Sequence, residues 1–244
     1  MKTFIMAVGQ LFLTFSLYIL GALLIGMSAF PGVLFCYHIW VKTAELSSIP
    51  RILFLSFSIG ASYFIYGLTI IILVGLLRII FRLNLKEGEY KLNSFGLVKW
   101  FVVNSLYYVV SITFMDFILL TPLASMFYRL MGARVGKNVQ INSKFGADLS
   151  LLEIGDGTVI GGHSTVICHS FERGKLILKK VKIGKRVVVG LNSVILPGCE
   201  IGDGALVSAG AVLGKNVKVE PKDVYFGVPG QSARERHAEN ENKA

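Results

Sequence analysis

The chain has 244 residues, of which 53% are hydrophobic and 16% charged, with a mean hydropathy of +0.63. Soluble globular domains are about 45–50% apolar and roughly a quarter charged, so an ordinary cytosolic domain is excluded, and so is a disordered chain. Three cysteines (Cys36, Cys168, Cys199) are odd in number and unpaired in spacing, which argues against a disulfide framework and a cysteine zinc site. The net charge of +10 is shared: residues 1–130 carry 9 Lys+Arg and 4 Asp+Glu, the remainder 16 and 11. Cations so dispersed among acids make nucleic acid a poor partner.

Taken in chain order, the first apolar run extends from Phe4 to about Phe30 without a charge, longer than the ~20 residues that cross the hydrocarbon of a bilayer. A signal peptide is the competing reading. The run is too long for its apolar region, only Lys2 precedes it, and no A-x-A site follows. Pro31-Gly32 is expected to bend or end this helix, with Tyr37, His38 and Trp40 at an interface-like end. The second run, Ile52 to Ile80, is uncharged until Arg78 and also reads as a span. The third, Phe95 to Phe127, contains Lys99, Asn104, Asp116 and Pro122, and could span, re-enter or lie in the interface. Asp116 there is either a functional carboxylate or an acid facing other helices. The cations Arg78, Arg82, Lys86, Lys91 and Lys99 favour the cytoplasm, as do Arg129, Arg134 and Lys137. Both groups are satisfied if the third segment does not cross.

Beyond Met131 the composition changes to regularly spaced Val and Ile among glycines. Aliphatics recur every six residues: Val135, Ile141, Ile154, Ile160, Val166, then Ile183, Val189, Ile195, Ile201, Val207, Leu213 and Val219. A small residue commonly follows each, which is expected to ease the turn at a corner. Three hexads make one triangular coil of short parallel strands, and stacked coils bury a core that no single repeat could bury. A glycine-rich loop would not keep so many aliphatics in phase. After an irregular stretch between Ile141 and Ile154, the register breaks once within the well-formed part, where eleven residues, Glu172–Lys182, are extra. Such insertions become loops on one face, often the working face.

The repeat, the segment Cys168-His169-Ser170 opening into the insertion, Ile195-Leu196-Pro197-Gly198 and the closing Gly227-Val228-Pro229-Gly230 together resemble the hexapeptide-repeat acyltransferases over roughly 133–236. The closing segment departs from that family's G-N-P-A pattern by Val and Gly. Tyr128–Gly136, Asp148, Leu151–Gly157 and His169–Leu178, with the preceding apolar runs, are similar to the membrane-embedded terminal region of synthetases that make poly-amino acids such as polylysine. The resemblance implies N-terminal transmembrane α-helices followed by an all-β left-handed parallel β-helix. With the change of composition near Met131, the chain divides into a membrane domain (1–130), an acyltransferase domain (131–236) and a polar tail (237–244). The resemblance also implies homotrimers, sites between subunits and an acyl-CoA donor, acetyl-CoA most simply.

Four histidines are available. His38 lies in a membrane-edge aromatic cluster and His237 in the tail. His163 and His169 occupy the fourth position of adjacent hexads, and His169 immediately precedes the insertion. In the next coil His169 aligns with Gly198, which is expected to leave open space, whereas His163 aligns with Asn192. Acyl transfer from a thioester needs a base near neutral pH, which suits imidazole. The thioester is already activated, so the chemistry requires neither a metal nor a covalent nucleophile. His169 is therefore the expected general base, with His163 the less favoured choice. Glu172 either orients the ring or is a solvated charge, and Cys168 reads as a small buried residue before it reads as a nucleophile. For the donor, Ser208 and Gly210 would let a pantetheine arm lie close. Lys222 and Arg234, raised above the other late cations Lys215, Lys218 and Arg236 by the resemblance, are candidates for its phosphates.

These readings make a membrane-anchored acyltransferase in the inner or plasma membrane, its β-helix cytoplasmic. Its partners would be a second and third copy of itself, membrane lipid, and an acceptor that is a membrane-associated, glycan, peptide or small molecule. The third apolar segment would floor the acceptor path, and Leu176, Ile177 and Leu178 in the insertion would meet lipid or an acyl chain. A non-catalytic β-helix scaffold and an amide-forming ligation remain as alternatives.

Overall fold

The computed structural model describes residues 2–234. Two long helices, α1 (Lys2–Lys42) and α2 (Ser48–Ile80), form an antiparallel hairpin, and with α3 (Phe95–Thr113) they are the helices long and apolar enough to cross a membrane. α1 does not end at Pro31. Just beyond it the two helices pack closely: a Cβ on Gly32 would lie 2.9 Å from Ser62 O, and the Ser62 hydroxyl donates to Gly32 O at 2.8 Å.

Between α2 and α3 lies strand β1 (Gly88–Lys91). The third apolar segment is not one helix. It breaks after Thr113 into a single turn, α4 (Met115–Ile118), and then α5 (Pro122–Leu130). Leu120 adopts φ 62, Thr121 accepts from Leu123 N, and Pro122 sits in the first turn, where its missing N–H costs nothing.

The remainder is a parallel β-helix. The first coil consists of β2 (Arg134–Val135), β3 (Gln140–Ile141) and β4 (Phe145–Gly146), the second of β5 (Leu152–Ile154), β6 (Val159–Ile160) and β7 (Thr165–Val166). The chain then leaves as a hairpin, β8 (His169–Glu172) and β9 (Lys175–Leu178). It resumes with β10 (Val181–Ile183), β11 (Val188–Val189) and β12 (Val194–Ile195), then β13 (Glu200–Ile201), β14 (Leu206–Val207) and β15 (Val212–Leu213). β16 (Lys218–Val219), β17 (Val224–Phe226) and β18 (Gln231–Ser232) close it. Three sheets result, β2-β5-β10-β13-β16, β3-β6-β11-β14-β17-β18 and β4-β7-β12-β15.

Register follows the sequence pattern. Ile154 pairs with Ile183, Ile160 with Val189 and Val166 with Ile195, each 29 residues apart. Ile183 pairs with Ile201 and Val189 with Val207, 18 apart, so the hairpin accounts for eleven extra residues. The inward aliphatics from Ile141 to Val219 are buried, and Val135 at the start of the first coil is partly buried. The small residue after each has a different purpose from the one expected. Gly155 lacks a positive φ, and a Cβ there would lie 2.6 Å from the backbone of Gly184 and Lys185 in the next coil. Close stacking of coils, rather than turn conformation, requires it. Positive φ falls two residues later, at Gly157, His163, Arg186, Asn192, Gly198, Gly204, Gly210, Asn216 and Lys222.

The three sheets differ on their outer faces. The first presents Arg134, Glu153, Lys182, Glu200 and Lys218, paired along the ladder as Arg134–Glu153 (3.3 Å) and Lys182–Glu200 (2.7 Å). The second presents Val159, Val188, Leu206 and Val224, the last three exposed. The third presents Phe145, Thr165, Val194 and Val212.

The first coil would expose unpaired strand edges, a liability in any sheet, and the helices cover them. Leu120 N donates to Ile141 O (2.8 Å), Ser125 Oγ to Val139 O (3.1 Å), Tyr128 OH to Ser143 O (3.2 Å), and Arg129 to the carbonyls of Val135 and Gly136. From α3, Tyr107 OH donates to Lys144 O at 2.7 Å. Helices and coils thus share one continuous core.

Candidate active site

The hairpin that interrupts the β-helix turns at Arg173-Gly174, both with positive φ (47° and 71°), the conformation of a tight two-residue hairpin turn. Cross-strand partners share a face. His169, Phe171, Leu176 and Leu178 therefore lie on one side, and Ser170, Glu172, Lys175 and Ile177 on the other. β9 is flanked on its far edge by β1, the strand between α2 and α3. Glu89 pairs with Lys175 at 2.7 Å, and Glu87 accepts from Lys180 N at 2.9 Å. Leu176 and Leu178, expected to meet lipid, are instead buried (0% and 1% exposed), because this three-stranded sheet lays them into the shared core.

His169 stands at the start of β8, partly exposed, with its Nδ1 2.6 Å from Asp148 Oδ2. Asp148 is buried, in the left-handed conformation (φ 58°, ψ 39°) that opens a short 3-10 turn. Its carboxylate is held by three further donors. Trp100 Nε1 reaches Oδ1 at 2.6 Å, Asn104 Nδ2 reaches it at 2.9 Å, and Cys168 N reaches Oδ2 at 3.2 Å. Asn104 Oδ1 in turn accepts from Asp148 N at 3.1 Å. With Trp100, Asn104 and Cys168 all donating to it, the carboxylate acts as an acceptor, an arrangement that matches a His169 tautomer with its proton on Nδ1. Nε2 then carries the lone pair. The Trp100 ring meets the imidazole edge-on at 4.8 Å, and Phe171 completes the cluster.

Trp100 and Asn104 lie one turn apart on α3, so the apolar third segment builds the support of the histidine. Sequence reasoning missed both, and it quoted Asp148 without a role. The available signals were a Trp and an Asn four residues apart in an otherwise aliphatic run, and a lone Asp in the irregular stretch between hexads.

In front of His169 runs a groove of about 500 Å³ between α3 and the end of the first coil. One wall is Trp100, Phe101, Asn104, Ser105, Tyr107, Tyr108, Ser111 and Ile112, the other Lys144–Ala147. Asp116, a candidate in the third segment, pairs with Lys144 at 2.5 Å. A larger concavity of about 720 Å³ lies on the first sheet, lined by its paired charge ladder and without His169.

The other sequence candidates lie apart from this cluster. Glu172 does not orient the imidazole. It accepts from Ser170 Oγ at 2.7 Å and pairs with Lys215, whose ammonium holds the carboxyl below its ordinary value. These groups line a small cavity of about 140 Å³ on the opposite face of the hairpin. His163 is exposed at a corner with φ 56°, its ring tilted beside that of Phe145, and histidine is among the residues that tolerate that conformation. The space beside Gly198 is not open, since a Cβ there would meet Asn216 and Lys179, which bond each other at 2.7 Å. Burial and the Asp148 charge push the Cys168 thiol well above its ordinary value, and burial pushes Cys199 up to about 11, which suits small core residues and not nucleophiles.

Ser208 and Gly210 sit on the corner that carries His163 and Asn192, not on that of His169. A Cβ on Gly210 would meet nothing within 4 Å, so this corner is open to close approach. Lys222 is on the remaining corner. Arg234 is turned toward it, donating to Pro221 O at 3.1 Å beside Asp223. Within one chain these four do not converge on His169. Arg236 and His237 lie outside the described residues, and among those described no cluster of His, Cys, Asp or Glu has metal-ligand geometry.

Residues 180–221 match the bacterial transferase hexapeptide (six repeats) family. The chain is 40% identical over 76 residues to YvoF of Bacillus subtilis, an acetyltransferase by name, covering 31% of this chain and 42% of that one. It is 27% identical over 171 residues to the delta-poly-L-ornithine synthetase of Acinetobacter baumannii, covering 68% of this chain and 12% of that one. The chain thus spans less than half the length of either relative. Among solved structures, a hexapeptide-repeat acetyltransferase of Vibrio cholerae complexed with acetyl coenzyme A aligns at 20% identity with a TM-score of 0.40, covering 46% of this chain and 75% of that one. The match to the transferase hexapeptide family thus covers part of the repeat, and the relatives of the chain include a protein named as an acetyltransferase and a poly-amino-acid synthetase.

Proposed function

We propose that this protein is a membrane-anchored acyltransferase with a left-handed β-helix, moving an acyl group, acetyl most simply, from a CoA thioester to a hydroxyl or amine acceptor. The observation that carries the reading is His169, its Nδ1 fixed by a buried carboxylate and its Nε2 free to face a groove. Nε2 takes the proton from the acceptor as its oxygen or nitrogen attacks the thioester carbonyl. When the tetrahedral intermediate collapses, the imidazolium returns the proton to the departing thiolate. Asp148 stabilises the imidazolium and holds the reactive tautomer, the usual task of a buried acid behind a catalytic histidine. The likeness to the polyornithine synthetase, which covers 68% of this chain, keeps an amine acceptor and amide formation within the reading as the alternative.

Self-association, as a trimer, is supported by the outer faces. Two sheets present aliphatic ladders, Val188, Leu206 and Val224 on one and Val194 and Val212 on the other, while the first presents charges. Ser208 and Gly210 occupy the corner between the two aliphatic sheets, so a neighbouring copy is what would carry a pantetheine-binding corner toward His169.

The α1–α2 hairpin is the membrane anchor and the β-helix faces the cytoplasm, where acyl-CoA is available. The segment bearing Arg82, Lys86 and Lys91 contributes β1 to the hairpin of His169, and Arg129 bonds the first coil. Both cationic groups therefore lie on the β-helix side. α3 lies along that coil from Trp100 to Ser111, and polar loops of this kind are not tolerated in hydrocarbon. This supports an interfacial α3 over a crossing one.

The test is thiol release from acetyl-CoA by the full chain in detergent, with a membrane lipid extract as acceptor. His169→Ala should lower kcat by about 10²–10⁴-fold without loss of thermal stability, and His163→Ala should cost much less. Equal losses, or none, refute the assignment.

A further inference from the structure

The groove between α3 and the first coil has a composition that identifies what it holds. Its only charged or titratable lining groups besides the tyrosines are His169 and Lys144, and Lys144 is neutralised by Asp116 at 2.5 Å. Nothing in the lining is left to bind a phosphate or a carboxylate. What remains is aromatic faces (Trp100, Tyr108, Phe145) with the hydroxyls of Ser105 and Tyr108 beside them, Asn104 being committed to Asp148 and the Trp100 carbonyl, a lining suited to a neutral polyhydroxylated group. The groove follows α3 from Trp100 to Ile112, about 18 Å at the rise of an α-helix, longer than a single sugar needs.

Its far end is open and, apart from the Lys144–Asp116 pair, apolar. Tyr108, Ile112, Phe117 and Leu120 are 55–62% exposed on α3 and just beyond it. There α3 meets the hydrophobic α1, Val109 lying 3.8 Å from the Cβ position of Gly21. The end away from His169 is therefore continuous with the surface that faces lipid.

Resting on the acyltransferase reading, we propose that this groove is the acceptor site. It is entered laterally from the bilayer by a lipid whose uncharged, hydroxyl-rich head group reaches His169 while its chain stays on Tyr108, Ile112 and Phe117. A hydroxyl of that head group is the nucleophile. Its proton passes to His169 Nε2, the thioester carbon–sulfur bond breaks as the new ester forms, and the imidazolium returns the proton to the departing thiolate.

The test places the full chain in phosphatidylcholine nanodiscs with a trace of lipid carrying a diazirine in its chain. The head group is a neutral monoglucosyl diacylglycerol, phosphatidylcholine or phosphatidylglycerol. After illumination, adducts are mapped by mass spectrometry. The glucosyl probe should label the peptide containing Tyr108–Leu120 several-fold more than the other two, relative to labelling of α1, and excess unlabelled glucosyl lipid should suppress this. Ser105→Trp, which fills the groove, should abolish the enrichment while α1 labelling persists. Phe145→Ala, an exposed wall position, serves as a second variant if the first does not fold. Equal labelling by all three lipids, or enrichment by phosphatidylglycerol, overturns the proposal. The readout needs no turnover. Selective labelling without acetyl-CoA consumption refutes the enzymatic reading alone, and turnover with unselective labelling refutes the groove alone.

Discussion

Asp148→Asn is the most discriminating perturbation of this site. Asparagine is nearly isosteric and tolerates the left-handed backbone that position 148 requires (φ 58°), so the turn should survive. The carboxylate accepts from Trp100, Asn104, Cys168 and His169, and an amide offers one accepting oxygen in place of two. If that oxygen stays with Trp100 and Asn104, the amide N–H₂ faces His169 and the imidazole must present Nδ1 as acceptor. Its proton then moves to Nε2, the wrong tautomer for a base. The expected loss is the whole base contribution, about 10²–10⁴ in kcat, equivalent to roughly 3–5 kcal/mol of barrier. KM for acetyl-CoA should change little. Each buried donor left unmatched costs about 1–3 kcal/mol of stability, within the ~5–15 kcal/mol of a typical domain, so the variant should fold with a lowered Tm. The assay is thiol release on the full chain, with thermal unfolding in parallel. A variant that loses stability but retains kcat within a small factor would show Asp148 to be structural and refute the tautomer argument.

Two further outcomes follow from the geometry. Gly155→Ala should cost about 1–3 kcal/mol, as overpacking does, since its Cβ would press on the backbone at Gly184 and Lys185, whereas Gly174→Ala, with nothing within 4 Å, carries only the strain of its positive φ; unfolding midpoints compare them, and equal costs would refute the stacking explanation. Because the Cys168 and Cys199 thiols titrate above their ordinary values, both remain protonated at pH 8 and native protein should resist iodoacetamide at these positions, with modification appearing only on denaturation; rapid native labelling of Cys168 would contradict its burial.

The six-residue aliphatic period determined the coils, their register and the length of the insertion, because stacking buries the same hexad position in every turn and leaves few alternatives. The apolar runs likewise determined the helices. The site was only half legible. His169 was marked by its place beside the insertion, but the choice of Glu172 as its partner rested on proximity along the chain. In a strand, residues three apart point to opposite faces, and the hairpin carries Glu172 to Lys215, away from the imidazole. The same alternation buries Leu176 and Leu178 and leaves Ile177 at the small cavity. The true partner lies 21 residues back in an irregular turn, and the groups that hold it, Trp100 and Asn104, lie 48 and 44 residues before that turn on a helix legible only as apolar. No periodicity links such positions. Local repetition fixed the scaffold, whereas the buried acid behind His169, the donors that hold it and the groove were decided by docking α3 against the first coil, where unpaired strand edges and a buried carboxyl group both needed partners.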